Sequence, residues 1–551
     1  MNDNNQKGGI MVQASILASA SIIVRIIGIL YRSPLTAIIG DEGNGYYGFA
    51  YNIYAIVLMV SSYSIPQAIS KLMAQKMAIG EYRNAQRIFR CTLAYAVVVG
   101  VLSSILLFFG AGLLVPPSAV PVLRMFAPTI FFFAILGVLR GYFQADQNMT
   151  PTSVSQILEQ IANAVVSIGA AWLFINYLAG SDPHNQAVYG AMGSALGTGS
   201  GVFAALIFMS VLYFASRKRF RRRIRHDRTR RLDPWPVILR DTILVITPFI
   251  LSGFILNLTT TVNQTIYYNI MAGVKGMDEF EMSTAYGIFS NKAVVISNIP
   301  ISIATAMATA VIPNISAAYA MFDLEETRRR FITAVRFVLV VAVPCAAGLC
   351  VLAKPVTMLL FPQWDSLDLA SRLLAMLSVT VVLYSVSTIT NAALQSIGRM
   401  SMPLVSAGIA LIAQTVILVF LLFFTDLGVY ALVAVSIIYS GMIFALNQFF
   451  LQRYLDPRAD LVNVLGKPCL AALVMSIACR LVYSLIMVLC GALGLGRYSS
   501  NLICLAPSIL IAVIVYFFVL IRIGTLSRED ILNFPRGRLL LKTFRRLGWM
   551  K

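Results

Sequence analysis

The chain has 551 residues, of which 58% are hydrophobic and only 12% charged, with a mean hydropathy of +0.80 and a formal net charge of +20. Apolar runs long enough to cross a bilayer recur from end to end, which excludes a soluble globular protein and marks a polytopic α-helical membrane protein. The basic residues gather in alternate loops, so the positive charge reads as membrane orientation and not as nucleic-acid binding.

The N-terminus, MNDNNQKGG, is polar and leads into a span too long for a signal-peptide core, so no cleavable signal is expected. Fourteen spans are predicted, near 12–33, 47–75, 87–113, 119–145, 153–179, 186–216, 240–270, 281–318, 330–353, 368–397, 402–425, 427–453, 464–492 and 500–525. Pro66, Pro300 and Pro344 are natural kink sites within them. Lys71, Lys76, Arg83, Arg87 and Arg90 follow span two, the run 217–231 follows span six, and Arg328, Arg329 and Arg330 follow span eight. Intervening loops are acidic or neutral, as at Asp41-Glu42, Asp182-Pro183 and Asp278-Glu279. An even number of spans then puts both termini on the basic, cytoplasmic side. The expected divisions are a first lobe at 1–216, a basic linker at 217–239, a second lobe at 240–455, two further spans at 456–525 and a basic tail at 526–551. The linker is read mainly as a join and orientation signal, with anionic lipid headgroups as a further partner.

The two halves look duplicated. Ala50-Tyr51-Asn52-Ile53-Tyr54 leads to Pro66 as Ala285-Tyr286-Gly287-Ile288-Phe289 leads to Pro300, and Phe143-Gln144 corresponds to Leu394-Gln395. Both halves keep the same orientation, a parallel repeat of the kind from which two-bundle transporters are built.

Polar residues inside spans carry the functional signal. Ser21, Arg25, Gly28 and Arg32 share one face of span one, and an arginine in hydrocarbon costs a few kcal/mol, ~3 on insertion scales. The stripe must therefore face a polar cavity. Arg25 lies mid-span and Arg32 near the expected outer end. Gln156, Glu159, Gln160 and Asn163 form a stripe on span five. Glu159 reads as the counter-ion of an arginine, as a proton site, or as a structural partner. Lys292 and Asn298 lie on span eight and Asn391 on span ten. The seven cysteines lack metal spacing, the two histidines lie in loops, and no GxxxxGK[ST] run occurs. An ATP-driven pump or an enzyme is not expected. A secondary transporter, flippase or channel remains, with no cofactor.

Arg25-Ile26-Ile27-Gly28-Ile29-Leu30-Tyr31-Arg32-Ser33-Pro34-Leu35, the segment 40–47, Ser64-Ile65-Pro66-Gln67-Ala68-Ile69-Ser70-Lys71 and the segment from Leu139 to Gln160 resemble the SpoVB/YtgP branch of the MurJ-like proteins. The resemblance implies a fourteen-helix, MATE-like fold with two six-helix lobes and two extra C-terminal helices. It implies flipping of lipid II, an undecaprenyl-pyrophosphate-linked precursor, across a bacterial plasma membrane by a monomer. It also implies cavity cations on helix one, matched by Arg25 and, with a small shift, Arg32, and one on helix eight, for which Lys292 is the counterpart. Family members often carry glycine at 145 and a basic residue near 163, where this chain has Ala145 and Asn163. The competing readings are an exporter of another lipid-linked polysaccharide and a cation-coupled multidrug exporter of the same architecture, and the latter calls for a buried carboxylate where this chain offers arginine. Sodium ion, proton or membrane potential remain open as the driving force.

Overall fold

The computed structural model describes residues 3–524 apart from 64, 147, 226, 228, 230, 231, 457–461 and 495. The expected basic tail and His226 therefore lie outside the described residues. Every regular element among the described residues is helical. The helices are α1 (Asp3–Leu58), α2 (Ile65–Ala78), α3 (Tyr82–Leu114), α4 (Val120–Ala145), α5 (Thr150–Tyr177), α6 (Pro183–Arg225), α7 (Trp235–Gly273) and α8 (Glu279–Gly287). They continue as α9 (Val294–Ala320), α10 (Leu324–Val351), α11 (Ala353–Leu360), α12 (Trp364–Ser396), α13 (Ser401–Phe424), α14 (Val429–Tyr454), α15 (Lys467–Ala492) and α16 (Arg497–Arg522). The fourteen expected spans map onto them in order. Spans one and two share α1 and α2, span eight is α8 with α9, and the last two are α15 and α16.

One expected loop is missing. Asp41 and Glu42 are helical, and the chain turns between spans one and two at Gly40 alone, with φ 69° and ψ 179°. That backbone conformation is strained for any residue with a Cβ. The first span therefore runs on to Ile39. Arg32 sits about 12 Å, and Arg25 about 22 Å, along the helix from the bend at 1.5 Å per residue, so Arg32 is deeper than the expected span edge allowed. The second helix of each repeat is also irregular. A π-helical turn occupies Met59–Tyr63 before Pro66, and another occupies Ile288–Ala293 before Pro300.

Contacts group the chain into two units, residues 1–287 and 288–551, so the chain leaves the first unit inside span eight and α7 and α8 pack with the first six spans. A Cβ at Gly45 would stand 2.0 Å from Ser283 O, and one at Gly287 2.2 Å from Asp41 O, so glycine alone permits this crossing of α1 and α8. Beside it, Glu42 collects two partners. Tyr46 Oη donates to its Oε1 at 2.8 Å, and His184 Nδ1 lies 2.7 Å from the same oxygen. His184 Nε2 lies 3.2 Å from Ser118 Oγ, and the Ser118 N–H donates to Glu279 Oε1 at 3.2 Å. This network joins α1, the turn at 117–119, α6 and α8. It makes His184 a helix-end residue rather than a loop residue.

At the basic end, the segment after α6 is strapped down by its own carboxylates. Asp227 Oδ2 accepts from the Arg83 N–H at 2.6 Å at the start of α3, and Thr229 donates to Asp227 Oδ1. Asp233 Oδ2 lies 2.7 Å from Lys76 Nζ, which also meets Glu81 Oε2 at 3.0 Å. Burial pushes the Asp227 carboxyl up, but the hydrogen bonds from Thr229 and Arg83 outweigh it and leave the group below its ordinary range. Asn84 and Lys76 likewise hold Glu81 down.

In the second unit the extra hairpin is fixed to its neighbours by buried hydrogen bonds. Asn501 Nδ2 donates to Pro355 O at 2.9 Å and Tyr483 Oη to Asn501 Oδ1 at 2.8 Å. Tyr516 Oη donates to Val340 O at 2.8 Å. The α15–α16 pair thus packs on α10 and α11 as part of that unit.

The tightest seam in the first unit is α5 against α6. Gly193, Gly197 and Gly201 recur every four residues, the small-residue spacing that lets membrane helices close in. Added Cβ atoms would stand 2.4 Å from Ala171 N, 2.0 Å from Ser167 Oγ and 2.5 Å from Glu159 O respectively.

Two outcomes follow for stability. Gly197→Val is expected to cost about 1–3 kcal/mol by overpacking and to lower Tm in detergent micelles, whereas Gly169→Val, which faces open space, leaves it nearly unchanged. The depressed carboxyls stabilise the strap above the ordinary carboxylate range and lose that contribution as pH falls through their folded values, below about pH 4. Hydrogen exchange of the Arg83 amide is expected to lose protection there, and Asp227→Asn to produce the same loss at neutral pH.

Candidate functional site

The site residues on α1 are placed by helix periodicity. Gly28 turns toward α5, where a Cβ would meet Gln160 Nε2 at 3.4 Å. Arg25 and Arg32 stand one turn before and after it on the same side. Arg25 is exposed and Arg32 half-buried. Arg32 lies within electrostatic reach of the Tyr47 hydroxyl. Between the arginines, the Tyr31 hydroxyl accepts from Asn163 Nδ2 at 3.4 Å, and Asn163 Oδ1 accepts from Ser167 Oγ at 2.9 Å. Ser167 is itself held in the glycine seam, 3.1 Å from Ser194 O. Tyr31, Asn163, Ser167 and Ser194 are thus linked into one wall of α1, α5 and α6, with Arg32 next to Tyr31 in the chain and Glu159 one turn before Asn163.

Glu159 does not serve α1. Its Oε2 pairs with Arg140 Nη2 at 2.7 Å, and Arg140 Nε donates to Ser155 Oγ at 3.0 Å. The Arg140 side chain is 8% exposed and that of Glu159 24%. The arginine that pairs with Glu159 comes from α4, an arrangement that fits the counter-ion and the structural-partner readings alike. The sequence carries a signal for Arg140 that a search for stripes passes over: an arginine inside an apolar span, nineteen positions before a membrane carboxylate, needs a partner. The pair is internally neutral, so the wall keeps the net positive charge of Arg25 and Arg32.

The other expected residues lie in the second unit. Lys292 is 1% exposed, inside the π-helical turn 288–293, and its Nζ donates to Ser366 Oγ at 2.6 Å in the first turn of α12. Asn298 is exposed on α9. Asn391 Oδ1 accepts from Asn447 Nδ2 at 2.7 Å, and the same amide reaches Thr390 Oγ1 at 3.2 Å, an uncharged link between α12 and α14. Beside that link is a cavity of about 640 Å³, apolar along Val335, Leu339, Val386 and Phe444 and polar toward Gln452 and Asp456. Sequence patterning does not reveal it, because its lining is indistinguishable from lipid-facing apolar surface. Among the described residues no group of three or more His, Cys, Asp or Glu is placed to hold a metal ion.

Removing Arg140 leaves Glu159 without its charge partner in a mostly buried position. Arg140→Ala is expected to cost about 1–3 kcal/mol, and Arg140→Ala with Glu159→Gln to recover part of that loss, read as Tm in a double-mutant cycle.

Comparison with known proteins places this geometry. A family model described as "Polysaccharide biosynthesis protein" matches residues 11–319, and one described as MatE matches residues 257–420. The chain is 24% identical over 427 residues to the lipid II flippase MurJ of Bacillus subtilis (strain 168), covering 73% of this chain and 75% of that protein. It is 24% identical over 544 residues to the uncharacterized membrane protein YabM of the same organism, covering 97% and 96%. To its stage V sporulation protein B it is 26% identical over 335 residues, covering 59% and 61%. Among solved structures, the fold matches lipid II flippase MurJ in an inward closed conformation with a TM-score of 0.64 at 14% identity, covering 91% of this chain and 97% of that one. It matches an inward-facing multidrug resistance MATE family transporter with a TM-score of 0.63 at 18% identity, covering 81% and 97%. With the family model spanning more than half of its length, and with helix after helix long and apolar enough to cross a bilayer, the chain is a multi-pass membrane protein that belongs to the polysaccharide biosynthesis protein family.

Proposed function

We propose that the chain is a flippase for a lipid-linked sugar pyrophosphate, with lipid II as the leading substrate. The observation that carries this reading is the cationic face of α1, whose Arg25 and Arg32 have no carboxylate paired with them among the described residues. Arg25 and Arg32 stand over a wall whose carboxylate is already neutralised by Arg140. A pyrophosphate is an anion with paired oxygens, and the planar guanidinium fork binds such groups bidentately. Sharing the wall, Asn163 and Gln160 provide uncharged hydrogen-bonding groups suited to sugar hydroxyls.

A cation-exporting MATE-type function is disfavoured by the same pair. An exporter of cationic drugs needs a carboxylate free to bind or release the cargo, and Glu159 is committed to Arg140. The proposed cycle is alternating access in a plasma membrane, with the basic loops cytoplasmic and in contact with anionic headgroups. The proposed working form is a monomer, without cofactor and without enzymatic chemistry. Either Na+, H+ or membrane potential drives it. Imposing each gradient on the same vesicles separates them, since one elementary charge moved gains ~2.3 kcal/mol per 100 mV.

The test is complementation of a bacterium depleted of its lipid II flippase, with translocation of lipid II read in parallel in vesicles. Wild type is expected to rescue growth. Arg25→Ala is expected to fail, with pyrophosphate-lipid affinity reduced about ten- to hundredfold from loss of charge-assisted hydrogen bonds, and Arg32→Ala to lose affinity in the same direction. Rescue by Arg25→Ala at normal expression would remove Arg25 from the mechanism. Failure of a well-expressed wild type would point to another lipid-linked glycan.

A further inference from the structure

Alongside the arginines, α1 carries a second row that the charge argument does not use. Tyr47, Tyr51 and Tyr54 fall at i, i+4 and i+7, on one helix face. The rings of Tyr47 and Tyr51 stack at 5.7 Å with 14° between planes. Tyr54 stacks on Phe126 of α4 at 4.7 Å and 17°, and Phe126 also packs against Tyr47 at 5.5 Å and Tyr51 at 6.0 Å. Phe126 is 0% exposed and Tyr54 3%, whereas Tyr51 is 38% exposed. Tyr51 is thus packed on one side by a fully buried phenylalanine and partly accessible on the other.

The surroundings of the row are those of a headgroup site. Tyr47 Oη lies 3.4 Å from Thr198 Oγ1 on α6, and Tyr47 is within electrostatic reach of Tyr31 and Arg32. Tyr54 is within reach of Glu159. A plain aromatic core would bury all of its rings; this one fixes Tyr51 from behind and leaves part of it accessible next to Tyr47. The electron-rich face of an aromatic ring attracts the partly positive C–H groups of a pyranose, and a flat apolar ring matches the flat apolar face of the sugar. Because its neighbours already hold Tyr51, little rotamer entropy remains to be lost on binding.

We infer that Tyr51, backed by Tyr47 and Phe126, is a stacking platform for the sugar nearest the pyrophosphate, with Arg32 set to hold the adjoining phosphate. This rests on the flippase reading above and adds to it a residue that distinguishes a glycosylated pyrophosphate lipid from a bare one. The cation recognises the anion common to both lipids, and the ring recognises the sugar that only one of them carries.

The experiment uses the full-length protein in detergent micelles and two probes: undecaprenyl pyrophosphate bearing an N-acetylated hexosamine, and undecaprenyl pyrophosphate without sugar. Wild type is expected to bind the glycosylated probe more tightly. Tyr51→Leu is expected to weaken that probe roughly five- to tenfold and leave the bare lipid unchanged, while Tyr51→Phe, which keeps the ring, retains wild-type selectivity. If Tyr51→Leu weakens both probes equally, or neither, the platform is overturned. Equal affinity of wild type for the two probes overturns the platform while the flippase reading stands. Wild type binding neither probe overturns the flippase reading and the platform with it.

Discussion

Charge in hydrocarbon has to be paired or wetted, and in the first unit that constraint sorts every ionisable group on the wall. Arg140 and Glu159 satisfy one another at 2.7 Å, with Ser155 filling a further guanidinium donor. Arg25 and Arg32 do not share that carboxylate; one is exposed and the other half-buried on the side of α1 that Gly28 turns toward α5. The pair also depends on backbone position. Glu159 and Asn163 reach their partners only because α5 lies against the glycines of α6 closely enough that a methyl group would not fit. The positive wall is therefore a product of helix packing as much as of arginine count.

The repeat makes this clearer by breaking its own symmetry. The offset that aligns Phe143 with Leu394 also aligns Arg140 with Asn391. In the first unit that position forms an ion pair with α5; in the second it forms an amide–amide bond with Asn447 of α14. The corresponding positions thus serve as a charged joint in one half and a neutral one in the other. The second unit instead places its buried cation at Lys292, in the π-helical turn ahead of Pro300, where it is tied to the first turn of α12. π-Turns in membrane helices tend to mark functional positions, and here both repeats carry one in the same helix.

Much of the architecture was legible because hydropathy and charge asymmetry are strong signals over span-length windows. The order of the helices, their all-α character and the polar stripes on α1 and α5 all follow from periodicity. What escaped has local causes. Asp41-Glu42 resembles a loop by charge, but a single glycine at φ 69° makes the turn and lets helix continue on both sides. Arg140 escaped because it stands alone in an apolar span, where a stripe argument has nothing to align. Glu42 is more buried than Glu159, yet its partners His184 and Tyr46 come together only once α6 returns to α1. The tyrosine row was visible as spacing, but which of its rings stays open depends on Phe126 from another helix.

The bend at Gly40 also bears on how the topology of such a chain is mapped. Reporter tags and protease sites are usually placed where charge suggests a loop, and Asp41-Glu42 would be chosen first. An insertion there would enter continuous helix beside the Gly45–Ser283 crossing. It would damage the fold before it reported sidedness. The turn at Gly180, followed by the exposed Ser181 and Asp182, offers a tolerant site on the same acidic side.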